Sequence, residues 1–423
     1  MSWIWGAGPA DPTAPTFHPV SSRYPDNELL GELDEKDMEW VCAGGFVTET
    51  QIFYNFLEDG TFIMCQVIHS SIGVWYPTVQ FVFKLYNPTT KETAWRSTNV
   101  GNFLASPPGL DKRSCKSDQF SITYKSAPGT DTPETFTVFA HATDDVQITL
   151  NITRAASAPG WKIGNDAKGG RSFYGPDIEK PEGYVSHKFW PRTQCNGLII
   201  YKGQAITANG PGMYVHTIMG MRPNLVASRW NFADFQSNAH GGVSAIQMEL
   251  TTLDAYGMRG AGSGGLKVNF GSLVLGGKLV CVTAETTFPD EERPADAGVK
   301  SRAFHHDATH DSDTSYMQPK GLEFIWAGPS TLNDAPGQIS ASLNVDVGTP
   351  SEPKGLIEKV DVLAEIPAVV KAVISYVAGT KPYIYQWYNS STLKVTAPDA
   401  ILPGASGGLD IEGTVFNEAS FIS

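Results

Sequence analysis

The stretch HHDATHDSD gathers His305, His306, Asp307, His310, Asp311 and Asp313. Imidazole and carboxylate are the ligands zinc and other transition metals take. His306 and His310 share a face if the segment is helical. The flanks are polar and loop-like, and no H-E-x-x-H pattern is present, so a solvated loop is expected rather than a metal site. No G-x-S-x-G elbow and no cysteine in a protease context offers a nucleophile. The glycines of GAGSGGLKV stand in a strand context, where they read as a turn or bulge and not as a phosphate loop.

Three aromatic constellations remain. KFWPRTQCNG sets Trp190 and Arg192 on either side of a proline; Arg192 either meets a ligand hydroxyl or stacks on Trp190. VIHSSIGVWYP puts His69 at a strand end, with Trp75 just beyond; His69 is a base or, more plainly, a hydrogen-bonded strand-end histidine. In VAGTKPYIYQWYN, the residues Tyr383, Tyr385 and Trp387 share one strand face. An aromatic wall with few polar groups is how apolar ligands are held. With Trp230, these give the candidate pocket set: His69, Trp75, Trp190, Arg192, Trp230, Tyr383, Tyr385 and Trp387. Each is a ligand wall or ordinary core. No catalytic residue and no cofactor is expected.

The elements that must position these residues are strands. TQIFYNFLEDGTFIMCQVIHS reads as strand, Asp59-Gly60 turn, strand. VQFVFKLYNPTTKETAWRST repeats the plan, and QFSITYK, ETFTVFAHA, VQITLNITR, VSHKFWPR and NGLIIYKG follow. About eight strands is the number that closes a small barrel. ASRWNFADFQSNAHGGVSAIQMELTT echoes the first hairpin, and GGLKVNFG, SLVLGGKLVCVTAETTF, LEFIWAG, IEKVDVLAEI, STLKVTA and the tail supply a second set. In EIPAVVKAVISYVAG, Pro367 and Gly379 bracket an apolar-striped helix. PDEERPADAGVKSRAFHHDATHDSDTSYMQPKG reads as one long polar loop. The expected division is a flexible leader at 1–27, a first domain at 28–204 and a second at 205–423.

Composition narrows the classes. The chain has 423 residues with 41% hydrophobic and 18% charged, which suits a folded protein. Net charge is −13 with no basic stripe, so no nucleic-acid partner is expected. Five scattered cysteines without a C-x-x-C pair point to free thiols in a reducing compartment. The first residues show no signal-peptide pattern, and no run approaches a membrane span. Trp3, Ile4 and Trp5 either touch a membrane surface or pack back on the domain.

VIHSSIGVWYPTVQFVFKLYNP, STNVGNF, FWPRTQCNG, MGMRPNLVASRWNFADFQS and, above all, VDVLAEIPAVVKAVISYVAGTKPYIYQWYN resemble the fungal survival-factor family of ceramide-binding proteins. The resemblance runs from Glu39 to Asn389. It implies an all-β fold of two tandem lipocalin-like antiparallel β-barrels, with a short helix in the C-terminal half. It implies ceramide as ligand, carried non-vesicularly from endoplasmic reticulum to Golgi, and a part in sphingolipid homeostasis and oxidative-stress survival. It implies a cytoplasmic and nuclear protein in peripheral contact with those membranes. Family members usually attach through an N-terminal amphipathic helix; here the start is proline-rich, and either Trp3, Ile4 and Trp5 replace that helix or membrane contact is weaker. The alternative is an enzyme on the same tandem fold, a pericyclase or hydratase acting on an apolar small molecule, because fold alone does not decide function.

Overall fold

The computed structural model describes residues 13–73, 77–260, 262–289, 291, 298–365 and 381–422. Two antiparallel, barrel-like sheets follow one another along the chain. The first uses β1 (Gly45–Phe56), β2 (Phe62–Gly73), β3 (Thr78–Tyr86), β4 (Thr93–Asn99), β5 (Phe120–Ser126), β6 (Glu134–Thr143), β7 (Val146–Arg154), β8 (Gly183–Tyr201) and β9 (Gly210–Met219). Their order across the sheet is β4-β3-β2-β1-β9-β8-β7-β6-β5. The second uses β10 (Arg229–Ser237), β11 (Val243–Thr251), β12 (Lys267–Leu275), β13 (Lys278–Thr287), β14 (Ser301–His306), β15 (Gly321–Pro329), β16 (Gln338–Asp346), β17 (Leu356–Asp361), β18 (Tyr383–Thr396) and β19 (Leu409–Phe421). Their order is β13-β12-β11-β10-β19-β18-β16-β15-β14, with β17 beside β18. In both sheets the first strand pairs with the last, the arrangement that lets a meander curl on itself.

The first hairpin turns where the Asp59-Gly60 pair stands, and Gly60 takes φ 85°, a conformation that costs glycine little. VSHKFWPR and NGLIIYKG are not two strands but one, β8, bent by a register shift between Trp190 and Thr193. Pro191 lacks the N–H that regular pairing needs, so the strand bulges there and continues. YIYQWYN and STLKVTA likewise form the single strand β18. β16, QISASLNVD, was not among the expected strands, although its alternation of buried and exposed residues is regular. The polar loop expected from 289 to 321 contains β14, whose Ser301, Arg302 and Ala303 are buried.

The expected boundary after residue 204 falls inside the first sheet, because β9 pairs with both β8 and β1; the second sheet begins at Arg229. Residues 13–27 of the expected leader pack on the body. Phe17 pairs with Tyr174 and is fully buried. The helix expected from Pro367 to Gly379 lies outside the described residues, as do Trp3, Ile4, Trp5 and Trp75. Among the described residues no helix is long and apolar enough to cross a membrane.

Three apolar clusters hold the molecule together. One fills the first barrel around Phe53, Phe83, Phe136, Trp190 and Tyr214. A second fills the second barrel around Phe235, Trp326, Tyr385, Trp387 and Phe421. The third lies between the barrels and joins Tyr54, Phe56 and Phe62 of one to Phe232, Tyr388 and Phe416 of the other.

Candidate functional site: a cleft between the barrels

Strand alternation decides which side chains leave the barrels and meet each other. On β1 Phe53 enters the first barrel, as Leu57 does just past the strand's end, and the even positions Tyr54 and Phe56 face the second. Pairing registers then stack the junction in layers. Phe56, Phe62 and Tyr86 share one layer, and Tyr54, Met64 and Lys84 the next. Ile52, Gln66 and Val82 form the layer after that. The second barrel answers with Asp234, Phe416 and Tyr388, then Phe232, Glu418 and Gln386, then Trp230, Ser420 and Ile384.

The first two layers are closed. Phe62 stacks on Phe416 at 4.5 Å, and Tyr54 meets Phe232 and Phe416 at 5.4 Å each. Such ring pairs add about 0.5–1.5 kcal/mol each beyond the area they bury. The third layer opens. Ile52, Gln66, Trp230 and Ile384, with Ile68 of the next layer, retain accessible surface, while Val82 and Ser420 are buried. So does Glu418, although it lies deep enough for burial to push its carboxyl above the ordinary value, against the pull of Gln386 and Lys84. Glu418 thus stands at the edge of the junction, where the two barrel surfaces begin to part; this edge is the candidate cleft.

The floor of the cleft is polar. Lys84 Nζ bonds Gln386 Oε1 and Glu358 Oε2, the latter at 3.0 Å, and lies 4.0 Å from the Trp95 ring. Gln386 Nε2 donates to Glu418 Oε1 at 2.5 Å. Burial, with Glu418 and Asp234 close by, holds the Tyr54 hydroxyl well above its ordinary pKa. The walls are Ile52 and Ile68 on one side and Trp230 and Ile384 on the other. At the outer end, Asp361 pairs with Tyr383, and the chain leaves the described residues at Glu365 and returns at Lys381. Apolar walls over a small hydrogen-bonding floor suit a lipid with a neutral head. A depression of about 700 Å³ on the outside of the second barrel suits it less, since it lies open at the surface.

The residues singled out from the sequence are dispersed. His69 and Trp190 stand inside the first barrel. Trp190 is 5.0 Å from Phe136 and 5.2 Å from Tyr214, in a ring cluster that fills its layer. Tyr385 and Trp387 stack at 5.5 Å inside the second barrel and expose nothing. The Tyr385 hydroxyl donates to Asp311 Oδ2 at 2.6 Å, and that carboxylate also pairs with Lys359 at 2.8 Å. Tyr383 lies half-buried near Tyr316 at the barrel's end. Arg192 does not stack on Trp190; from its bulge it donates to Gln236 Oε1, Val243 O and Asn238 Oδ1 and ties the barrels together. Of the seven that are described, Trp230 alone borders the cleft. His305 bonds Asn231 inside the second barrel, His306 pairs with Glu323, and Asp311 with Tyr385 and Lys359. Among the described residues no three of these groups converge as metal ligands.

Sequence reading passed over Tyr54, Gln386 and Glu418. Glu418 did carry a signal: it is an acidic residue two places from Phe416 on the same strand face, between the apolar Val415 and Ala419 of the opposite face.

A family model described as the Svf1 family matches residues 1–423. A ceramide-binding protein SVF1 of Yarrowia lipolytica is 32% identical, with all of both chains covered. A protein of the same name from Aspergillus fumigatus is 32% identical over 93% of this chain and 91% of its own, and one from Schizosaccharomyces pombe 29% over 96% and 94%. Among solved structures, CghA with Sch210972 superposes with a TM-score of 0.55 at 11% identity, covering 96% of this chain and 98% of that one. That likeness concerns the fold, two lipocalin-like barrels in tandem. A model matched from first residue to last, with relatives matched as fully, means that this chain belongs to the Svf1 family.

Proposed function

We propose that this protein binds ceramide between its barrels and carries it from one membrane to another without a vesicle. The observation that supports the reading most is that relatives matched along nearly their whole length are named for ceramide binding. The cleft fits that ligand. A buried methylene is worth ~0.8 kcal/mol, so a sixteen-carbon chain costs on the order of 12 kcal/mol to leave in water. Apolar walls remove most of that cost in transit, and the head needs only a few donors and acceptors.

On this reading the protein is a binder and not an enzyme. It works in the cytoplasm, in peripheral contact with endoplasmic reticulum and Golgi, and serves sphingolipid homeostasis and survival of oxidative stress, as the family resemblance implies. Native mass spectrometry with lipid extraction tests it. Ceramide recovered at near one per chain, and transferred between vesicles by the purified protein, supports the proposal. A protein that is empty and takes no ceramide from vesicles overturns it. A supplied lipid recovered chemically changed replaces it with the enzyme reading.

A further inference from the structure

We infer that the ceramide head is read by two groups at the floor of the cleft, the Tyr54 hydroxyl and the Glu418 carboxylate; this rests on the ceramide reading above. Tyr54 is 5% exposed, its ring is fixed by Phe232 and Phe416, and no described residue hydrogen-bonds its hydroxyl. A hydroxyl this deep with no protein partner favours a ligand that brings an acceptor to it. Glu418 is half satisfied. Its Oε1 accepts from Gln386, and among the described residues nothing donates to Oε2. Gln386 is itself held by Lys84, so the carboxylate is clamped from behind with one oxygen left over.

A donor and an acceptor at one layer, without partners and below apolar walls, match a secondary amide bearing hydroxyls on long chains. The amide carbonyl takes the Tyr54 hydrogen, and a hydroxyl or the amide N–H gives its hydrogen to Glu418 Oε2. A 1,2-diacylglycerol has similar chains and one hydroxyl but no amide N–H. It leaves part of the floor unpaired, and sites built for a hydrogen bond discriminate against ligands that lack it.

The test uses the full chain and vesicles carrying fluorescent ceramide or fluorescent diacylglycerol of equal chain length, with the headless dye diphenylhexatriene as a measure of the apolar walls. Wild-type protein is expected to prefer ceramide at least tenfold. Tyr54→Phe and Glu418→Gln are each expected to weaken ceramide binding about tenfold and leave dye binding unchanged. In the glutamine variant the Gln386 contact fixes the amide oxygen, so an NH₂ replaces the acceptor. Ceramide binding retained in both variants overturns the assignment while leaving the carrier reading intact. So does loss of dye together with ceramide in both, which would mean a collapsed cleft. Wild-type protein that binds the dye but not ceramide overturns both readings.

Discussion

Tyr385 shows how position sets a residue's role. Its ring is enclosed and its hydroxyl is held by Asp311 and Thr314. Tyr385→Ala is therefore expected to lower stability by about 3–5 kcal/mol, the usual range for a large buried ring, with ceramide loading kept below the melting temperature. Paired melting and loading curves decide it; unchanged stability with lost loading would place the ring at the ligand. Asp234 makes a pH prediction. It is fully buried in the junction, and burial pushes its carboxyl up to about 8, against Gln236 and Arg192. The unfolded chain releases this proton near 3.8. Between those values the folded state holds a proton that the unfolded state lacks, so stability falls as pH rises through the window. Asp234→Asn does not titrate and keeps an acceptor for Gln236. Its melting temperature should match wild type near pH 4 and exceed it by on the order of 5 °C near pH 8. A pH-independent gap would contradict the shift.

The segment ahead of β1 is an element that works as a plug. A capping box at Asp34 and Asp37 forms the turn Glu35–Met38, which drops Met38 and then Trp40 into the first barrel. Asp37 receives Lys162 at 2.7 Å and Lys188 at 3.6 Å, both nearly buried. Burial opposes the charge on Asp37, yet Lys162, the Asp34 backbone and Lys188 hold its carboxyl below the ordinary value. Glu49 fixes the far side of the plug through the Val41 and Cys42 N–H groups, and His216 bridges Glu49 to the Asp37 carbonyl. Asp37→Ala leaves the buried Lys162 ammonium without its carboxylate and Lys188 with only the backbone carbonyl of residue 37, and a loss of about 3–5 kcal/mol is expected by chemical denaturation. A loss under 1 kcal/mol would mean that the lysines find water.

At the scale of the molecule, the junction is a core shared by both barrels. Separating them would expose Tyr54, Phe62, Phe232 and Phe416 at once. One cooperative unfolding transition is therefore expected, with calorimetric and van't Hoff enthalpies equal. Residues 13–219 expressed alone should aggregate, as large exposed apolar faces do. Two resolved transitions would show that the barrels are independent. Delivery to a membrane is tested by vesicle flotation. If Trp3, Ile4 and Trp5 make the contact, their joint replacement by Ala lowers the bound fraction several-fold without affecting ceramide loading.

Sequence alone determined the class of fold. Period-two alternation and turn chemistry are local, so the Asp59-Gly60 hairpin, the paired halves and most strand positions could be read directly. Long motifs supplied the family. Strand continuity was less legible, because Pro191 reads as a stop, and only the neighbouring strands β7 and β9 carry β8 past it. The site was least legible. Tyr383, Tyr385 and Trp387 lie on one face of β18, and their sequence pattern is the same for a core and for a pocket. Which face meets the other barrel, and where the two surfaces part beyond Tyr54 and Glu418, depends on how two sheets far apart in sequence dock. No local pattern encodes that distance, and tertiary packing alone decided it.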